Sequence, residues 1–405
     1  MRPGAIAVVA LVAAVLGGAA ALAIAKGAGW TGGSSKTVVV QAQTPPPATP
    51  AAVQAPTKPL LGNGFQPAKI YAGRSDGVVT IYSFFGSQSD LQGQTAQGSG
   101  FVVSPKGYVL TNSHVITDAG DSSGGSVKAA DRLYVEFQDH DRVPATVVGW
   151  DVFDDVGLIR VDPAQHALDP VPLGDSSKAV VGEPVAAIGS PFGNENSLSV
   201  GVVSATKRSI GSLTSSYNLV DAIQTDAPIN HGNSGGPLFD ARGRAIGINA
   251  QIRSDSGNAE GVGFAVPINS ARRSMGQLIA KGRVSYAYVG ISTEDLTPSI
   301  AKHFGYPVRY GAIVDCTESG SPGQEAGLRG GSDDVQFNGS AFRRGGDVIV
   351  AIDGTPVRNA EDVVRVVTER LAPGGIATLT VYRGDVRKTV AVRLIDRPKT
   401  PSSCR

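Results

Sequence analysis

From Tyr71 to Pro267 the chain repeats one motif of pattern: a short apolar run, a turn, another short run. "LYVEFQ" alternates Leu133, Val135 and Phe137 with Tyr134, Glu136 and Gln138, the period-two signature of a half-buried strand. "VGLIRV", "PVAAIG", "SVGVVSA" and "AIGINAQ" are further strand candidates rich in β-branched residues, and "GSGFVVSPKGYVLTNSH" reads as strand, Pro-Lys-Gly turn, strand. This spacing predicts an all-β barrel or sandwich. The first convincing helix is "INSARRSMGQLIAKG", where Ile268, Ala271, Met275, Leu278 and Ile279 fall on one face and Gly282 ends the run.

Beyond that helix the pattern changes. "YVGI", "GAIV", "GDVIVAIDG" and "ATLTVYR" read as strands, and "NAEDVVRVVTERL" as a helix capped by Asn359. A second, small α+β domain is expected. What the stretch Arg329–Gly346 does is not readable. Before the β-rich region, Gly4–Ala25 is uncharged, and roughly 22 helical residues span the ~30 Å of a bilayer core. Arg2 precedes it, so a single-pass anchor with an exported remainder is expected. A cleaved signal peptide ending near Ala23-Ile24-Ala25 is the alternative. Thr31–Pro59, rich in Pro, Ala, Thr and Gln, reads as a semi-extended spacer. The resulting plan is anchor or signal over 1–30, linker over 31–68, β-rich domain over 69–282, α+β domain over 283–397 and a tail over 398–405.

Of the 405 residues, 36 are Lys or Arg and 35 Asp or Glu, a net charge of +1 that gives no bulk attraction to nucleic acid. Two cysteines, Cys316 and Cys404, and no His/Cys cluster argue against a metal site, and no cofactor motif is present.

The chemistry concentrates in "HGNSGGPLFD", His231–Asp240. Gly232–Gly236 fits the G-x-S-x-G pattern of an α/β-hydrolase nucleophile. That fold needs a helix directly after the serine and a histidine later in the chain. Here Pro237 and strands follow, and only His303 lies beyond, past a domain boundary. For a base serving Ser234, His140, His166 and His303 sit in polar or loop stretches. His231 lies three residues before Ser234, and His114 stands in "LTNSHVI" at the end of an apolar strand. The carboxylate candidates are Asp154 and Asp155 in "DVFDDVGLIRV". The order His114, Asp155, Ser234 along a β-rich chain is the chymotrypsin-like order.

"TNSHVI", "DDVGLI" and "GNSGGPL" resemble the three catalytic motifs of trypsin-like serine proteases, and "IQTDAPINHGNSGGPLFDARGRAIGIN" and "GVGFAVP" resemble the HtrA/Deg family of PDZ-containing proteases. The resemblance covers Tyr71 to Asp396. It implies a mainly β fold: a chymotrypsin-like double β-barrel of two six-stranded barrels, with the active site between them, followed by a small PDZ domain. It further implies that Ser234 attacks, His114 carries the proton, and Asp155, which directly precedes the Val-Gly-Leu-Ile run, orients the imidazole. The N–H groups of Gly232 and Ser234 would form the oxyanion hole. Ile229 would line the specificity pocket, and Asn249, Ala250, Gln251 and Ile252 would pair with the substrate backbone. Pro228 stands where digestive trypsin carries its pocket carboxylate, so a Lys/Arg preference is not expected. Asn233 replaces the aspartate that pairs with a processed N-terminus.

"YAYVGI", "GAIV" and "GGDVIVAIDGTPVRNAEDV" resemble a PDZ domain, with Tyr288, Val289, Gly290 and Ile291 as the carboxylate loop. In an exported chain Cys316 and Cys404 are expected to form a disulfide tying the tail to this domain. The expected function is an extracytoplasmic serine endopeptidase degrading unfolded or misfolded proteins. The expected partners are those proteins, peptide C-termini and the membrane. The family trimerises through its N-terminal segment, where this chain has Tyr82, Phe84 and Phe85. The alternative is a PDZ-bearing chaperone or adaptor with a vestigial protease site.

Overall fold

Residues that alternate in the sequence alternate in the fold. Leu133, Val135 and Phe137 are buried while Tyr134 and Glu136 are half-exposed. The structure, a computed structural model, describes residues 64–86, 95–119, 127–190, 197–230, 232–252, 262–402 and 404. The segment Gly4–Ala25, the linker up to residue 63 and His231 lie outside the described residues. Among the described residues no helix is long and apolar enough to cross a membrane.

Helix α1 (Pro67–Arg74) opens the described chain. Phe65 and Ile70 are buried in the protein core, and Arg74 Nε donates to the Gly243 carbonyl at 2.9 Å. The expected linker boundary at 68 therefore moves: Phe65 already packs into the core and α1 begins at Pro67.

Strands β1 (Val78–Phe84), β2 (Thr95–Val102), β3 (Tyr108–Thr111), β4 (Arg132–Glu136), β5 (Arg142–Asp151) and β6 (Val156–Val161) close a barrel in the order β1-β2-β3-β6-β5-β4. Between β3 and β4 the single turn α2 (Ser113–Ile116) carries His114. The expected strand end is thus a helical turn. A second closed barrel holds β7 (Pro184–Gly189), β8 (Ser197–Gly211), β9 (Asn218–Thr225), β10 (Pro237–Phe239), β11 (Ala245–Ile252) and β12 (Gly263–Pro267), in the order β10-β11-β12-β9-β8-β7. Closure leaves neither sheet an outer edge strand. One core cluster joins the barrels: Phe101, Leu110 and Leu158 of the first meet Ile188, Phe239 and Ile248 of the second.

Helix α3 (Ile268–Lys281) lays Ile268, Ala271 and Leu278 on that cluster and ends at Gly282, φ 67°. Ile279, expected on the buried face, is instead 46% exposed. Ser274 holds the inner position, because its hydroxyl serves a buried acid described below.

The last domain starts with β13 (Ala287–Tyr288) and β14 (Ile291–Leu296). The expected strand over "YVGI" is broken at Val289-Gly290, where Gly290 has φ 72°. Helix α4 (Pro298–Phe304), β15 (Gly311–Thr317) and the turn α5 (Pro322–Glu325) follow. The unreadable stretch forms a hairpin of β16 (Asp333–Phe337) and β17 (Ser340–Arg344) around Asn338-Gly339, both at positive φ. Then come β18 (Val348–Ile352), β19 (Thr355–Pro356), α6 (Ala360–Arg370), β20 (Ile376–Arg383), β21 (Val386–Arg393) and β22 (Ile395–Asp396). The sheet runs β14-β15-β18-β20-β21, so β14 is an edge strand, and α6 covers the same core. Asn359 caps α6, accepting the Asp362 N–H at 2.8 Å. Strand β22 pairs with β13 and returns the tail toward the protease barrels. Cys316 and Cys404 are joined as a disulfide, with Cα atoms 5.8 Å apart.

Candidate active site

The site is built where the two barrels meet. Ser234 lies on the turn between β9 and β10, and residues of the first barrel hold that turn. Ser99 of β2 donates its N–H to the Ser234 carbonyl at 2.8 Å and its hydroxyl to the Gly232 carbonyl at 2.5 Å. Thr111 Oγ1 donates to the Ser99 carbonyl at 2.6 Å. From the other side, Gly235 N–H donates to the Asn249 carbonyl and Asn249 N–H to the Gly236 carbonyl, both at 2.8 Å. Gly235 sits at φ 88°, and a Cβ there would lie 2.0 Å from the Ser99 carbonyl oxygen. Only glycine lets the two barrels approach so closely.

His114 reaches the site because α2 packs its Val115 against Gly98, where a Cβ would meet Val115 Cγ2 at 2.6 Å. Asp155 stands at the start of β6 in the left-handed region, φ 51°. Its Oδ2 lies 2.8 Å from His114 Nδ1. Its Oδ1 accepts the Ser113 hydroxyl at 2.7 Å and the His114 N–H at 3.1 Å, and Asn112 Nδ2 donates to its backbone carbonyl at 2.8 Å. Asn112, Ser113, Ser99 and Thr111 were not singled out in the sequence. Ser113 and Asn112 stood inside the quoted "TNSH", and their polarity at a buried strand end was the available signal. Burial works against the imidazolium, but the charge and hydrogen bond of Asp155 outweigh it, and the His114 pKa stands above its ordinary value.

Ser234 Oγ donates to the Ala250 carbonyl at 3.0 Å. Ala250 is the bulge of β11, where the register with β12 shifts between Asn249 and Gln251, so its carbonyl leaves the ladder and faces the serine. On the other side β11 pairs with β10 only as far as Ile248. Asn249, expected to pair with substrate, already engages its N–H and carbonyl with Gly236 and Gly235, so Ala250, Gln251 and Ile252 alone present an unpaired strand edge beside Ser234. Ile229 is placed in the core of the second barrel, 2% exposed, with Val185, Leu238 and Ala265. Its side chain forms no open pocket wall here.

Asp154 faces away from the imidazole. Its Oδ2 accepts Arg273 at 3.0 Å and the Tyr286 hydroxyl at 2.8 Å. Asp151 Oδ2 accepts the same Tyr286 hydroxyl at 2.5 Å and the Ser274 hydroxyl at 2.6 Å. Burial, with the Asp154 charge beside it, pushes the Asp151 carboxyl up to about 6. Tyr286 precedes β13, so the entry to the last domain is anchored next to Asp155.

The trypsin-like peptidase domain model matches residues 98–248, and the PDZ domain model residues 287–394. The solved HtrA-type protease AlgW with tripeptide is similar at TM-score 0.68 and 31% identity, over 82% of this chain and 98% of that one. The chain belongs to the HtrA/Deg family. The probable periplasmic serine endoprotease DegP-like of Brucella suis is 36% identical over 303 residues, 75% of this chain and 53% of that protein. Protease Do-like 1, chloroplastic, of Arabidopsis thaliana is 36% identical over 314 residues, 76% and 65% respectively. The chain thus spans about half the length of its Brucella relative.

In this family member the second domain opens a groove of about 590 Å³ between β14 and α6. Val289, Ile291, Val363 and Val367 give it an apolar floor. The loop Tyr288–Ile291 closes one end. Gly290 is required there: a Cβ would lie 2.3 Å from Ser321 Cβ, and Ser321 Oγ donates to the Gly290 carbonyl at 2.8 Å. Tyr217, from the protease barrel, and Arg397, from the tail, also line the groove.

Proposed function

We infer that the chain is a serine endopeptidase acting outside the cytoplasm on unfolded or misfolded proteins, with its PDZ domain receiving peptide C-termini. The observation that carries this is the 2.8 Å contact of His114 Nδ1 with Asp155, set across the barrel junction from a serine on a glycine-clamped turn. Substrate would lie extended along the free edge at Ala250–Ile252, its backbone taking up the Ala250 carbonyl. Ser234 Oγ would give up that acceptor, rotate toward His114 Nε2 and attack the scissile carbonyl as the imidazole takes its proton. The Gly232 and Ser234 N–H groups would receive the oxyanion, worth ~2.7–4 kcal/mol per donor in comparable sites. The imidazolium then protonates the leaving amine, and water, deprotonated by the same imidazole, releases the acyl group. Asp155, fixed by its other donors, holds the Nδ1–H tautomer throughout.

The Brucella relative's name places that protein in the periplasm, which supports an extracytoplasmic site here. Membrane attachment through Gly4–Ala25 and the family's trimeric assembly complete the proposal. Tyr82, Phe84 and Phe85 are half-exposed near the start of the first barrel, which leaves part of each ring free for such an assembly. The test is turnover of fluorescent casein by the wild-type chain and by Ser234→Ala, with an active-site phosphonate as label. Turnover and labelling by wild type alone are expected. A wild-type chain that binds peptide but neither cleaves nor labels is an adaptor, and the proposal fails.

A further inference from the structure

The PDZ groove holds a cation, Arg397, beside Glu318 at its loop end and only carboxylates at its far end, and this deepens the reading of it as a peptide receptor, on which the inference rests. At the loop end lies Arg397. Its guanidinium stands over the rings of Phe153, Tyr217 and Tyr286, at 5.4, 5.2 and 5.0 Å from their centroids, and Nη2 donates to Thr368 Oγ1 at 2.8 Å. Among the described residues it makes no ion pair. Three rings support the cation without neutralising it. Beside it the hydroxyls of Tyr217 and Tyr288 are buried, with no hydrogen-bond partner within the described residues, and both tyrosines line the groove. Leaving such donors unsatisfied is costly, and a ligand oxygen would relieve it. Glu318, also at this end, accepts the Ser402 N–H at 2.8 Å and keeps its negative charge near both hydroxyls, so Arg397 has to offset it as well as receive the peptide carboxylate.

At the far end the lining turns acidic. Asp295, near the end of β14, and Glu361, in the first turn of α6, both line the groove. Asp295 Oδ1 accepts the Ala360 N–H at 2.8 Å, and neither carboxylate makes an ion pair among the described residues. The nearby Arg365 is already engaged by Asp221 and Asp362. A peptide added to the free edge of β14 runs antiparallel to it, with its last residue beside Ile291. Four residues upstream, about 13 Å along an extended chain, it passes Asp295 and Glu361.

We propose that the groove selects peptides with a free C-terminal carboxylate, an apolar last residue, and a lysine or arginine about four residues before it. Arg397, with the hydroxyls of Tyr217 and Tyr288, receives the carboxylate. Val289, Ile291, Val363 and Val367 cover the last side chain. Asp295 and Glu361 pair with the cation. Tyr217 and Arg397 lie outside the span matched by the PDZ model, so this specificity belongs to the whole chain rather than to an excised domain.

The test is fluorescence polarisation with the full chain carrying Ser234→Ala, so that no probe is cleaved. Three fluorescein-labelled peptides are compared: Gly-Lys-Gly-Ser-Ala-Val, the same with Glu for Lys, and the Lys peptide as its C-terminal amide. At low salt the Lys peptide should bind about tenfold more tightly than the Glu peptide, an exposed charge reversal against two carboxylates. The gap should narrow to about twofold in 0.5 M NaCl. Glu361→Gln combined with Asp295→Asn should close it, and the asparagine can still accept the Ala360 N–H. Amidation and Arg397→Gln should each weaken the Lys peptide by tenfold or more. Lys and Glu peptides binding within twofold of each other at low salt would overturn the charge selection and leave the PDZ reading standing. Equal binding of acid and amide, or no binding of any peptide, would overturn the PDZ reading and this inference with it.

Discussion

Two strand edges in this molecule stand open to an extended peptide, and they differ in what waits beside them. The edge at Ala250–Ile252 is made by a bulge inside a closed barrel, and Ser234 is bonded to the bulged carbonyl. The edge of β14 is the natural end of an open sheet, and beside it lie valines, a loop and charged groups. Backbone pairing is common to both. In the proposed function, chemistry at the first would come from one hydroxyl, one imidazole and one carboxylate that accepts from Ser113 and the His114 N–H and touches the His114 ring. Selection at the second would come from apolar area and charge, with no histidine in the groove lining to activate a hydroxyl. On the proposed function, the same recognition mode would serve turnover in one place and retention in the other.

The sharpest way to break the comparison is to remove the chemistry alone. Ser234→Ala and His114→Ala should each lower casein turnover by about 10⁶-fold, because triad members act as a unit and their losses do not add. Peptide binding at β14 should be unchanged in both. Peptide affinity falling along with turnover would mean that the two edges are not separate sites.

Asp155→Asn comes next, with a loss of about 10⁴-fold through the wrong imidazole tautomer. Asp154→Asn should cost far less, since Asp154 serves Arg273 and Tyr286. The folded His114 pKa is raised by Asp155, so activity should climb with pH through a midpoint above 6.5 as the imidazole loses its proton. The Asp155→Asn variant should have its midpoint lower. A pH–rate profile for both proteins checks this, and an unmoved midpoint would separate Asp155 from the imidazole.

Gly290→Val should do the converse of Ser234→Ala. A side chain at φ 72°, with Ser321 only 2.3 Å from its Cβ, must displace the loop. Peptide affinity should fall at least tenfold, while the Ser234 site continues to react with a small phosphonate at the wild-type rate. Loss of phosphonate labelling would show that the loop supports the catalytic barrels as well.

How far the sequence reached follows the same division. The three motifs could be recognised because each is a short, local and chemically unusual string, and the structure brings His114 and Asp155 of two of them together. Strand alternation such as Leu133, Val135, Phe137 marked the first barrel for the same reason. What stayed hidden depends on long-range partners. Ser99 clamps a turn 135 residues downstream in the chain, counting from Ser99 to Ser234, and nothing near Ser99 announces it. Ile279 looked like a core residue because helical periodicity cannot foresee that Ser274 would be drawn inward by Asp151. The hairpin of β16 and β17 did carry a local signal, Asn338-Gly339, the dipeptide of a tight two-residue turn. Arg397 carried no local signal: its ring contacts arise only when the tail folds back over Phe153, Tyr217 and Tyr286.

The smallest expected effect lies between the two edges, at the acid pair that anchors Tyr286. Asp151 is buried beside Asp154, and its carboxyl is pushed from 3.8 up to about 6. A carboxyl raised in the fold keeps a proton that the unfolded chain releases. Its stabilising contribution is therefore complete below about pH 3.8 and is lost as pH rises through about 6. Asp151→Asn removes the titrating group while leaving an oxygen that can accept from Tyr286 or Ser274. Measured by denaturant unfolding, the variant's stability relative to wild type should rise steadily between pH 4.5 and 7.5. A stability difference that stays constant over that range would mean that Asp151 is already ionised in the fold, with the Tyr286 and Ser274 hydroxyls sufficient to hold its charge.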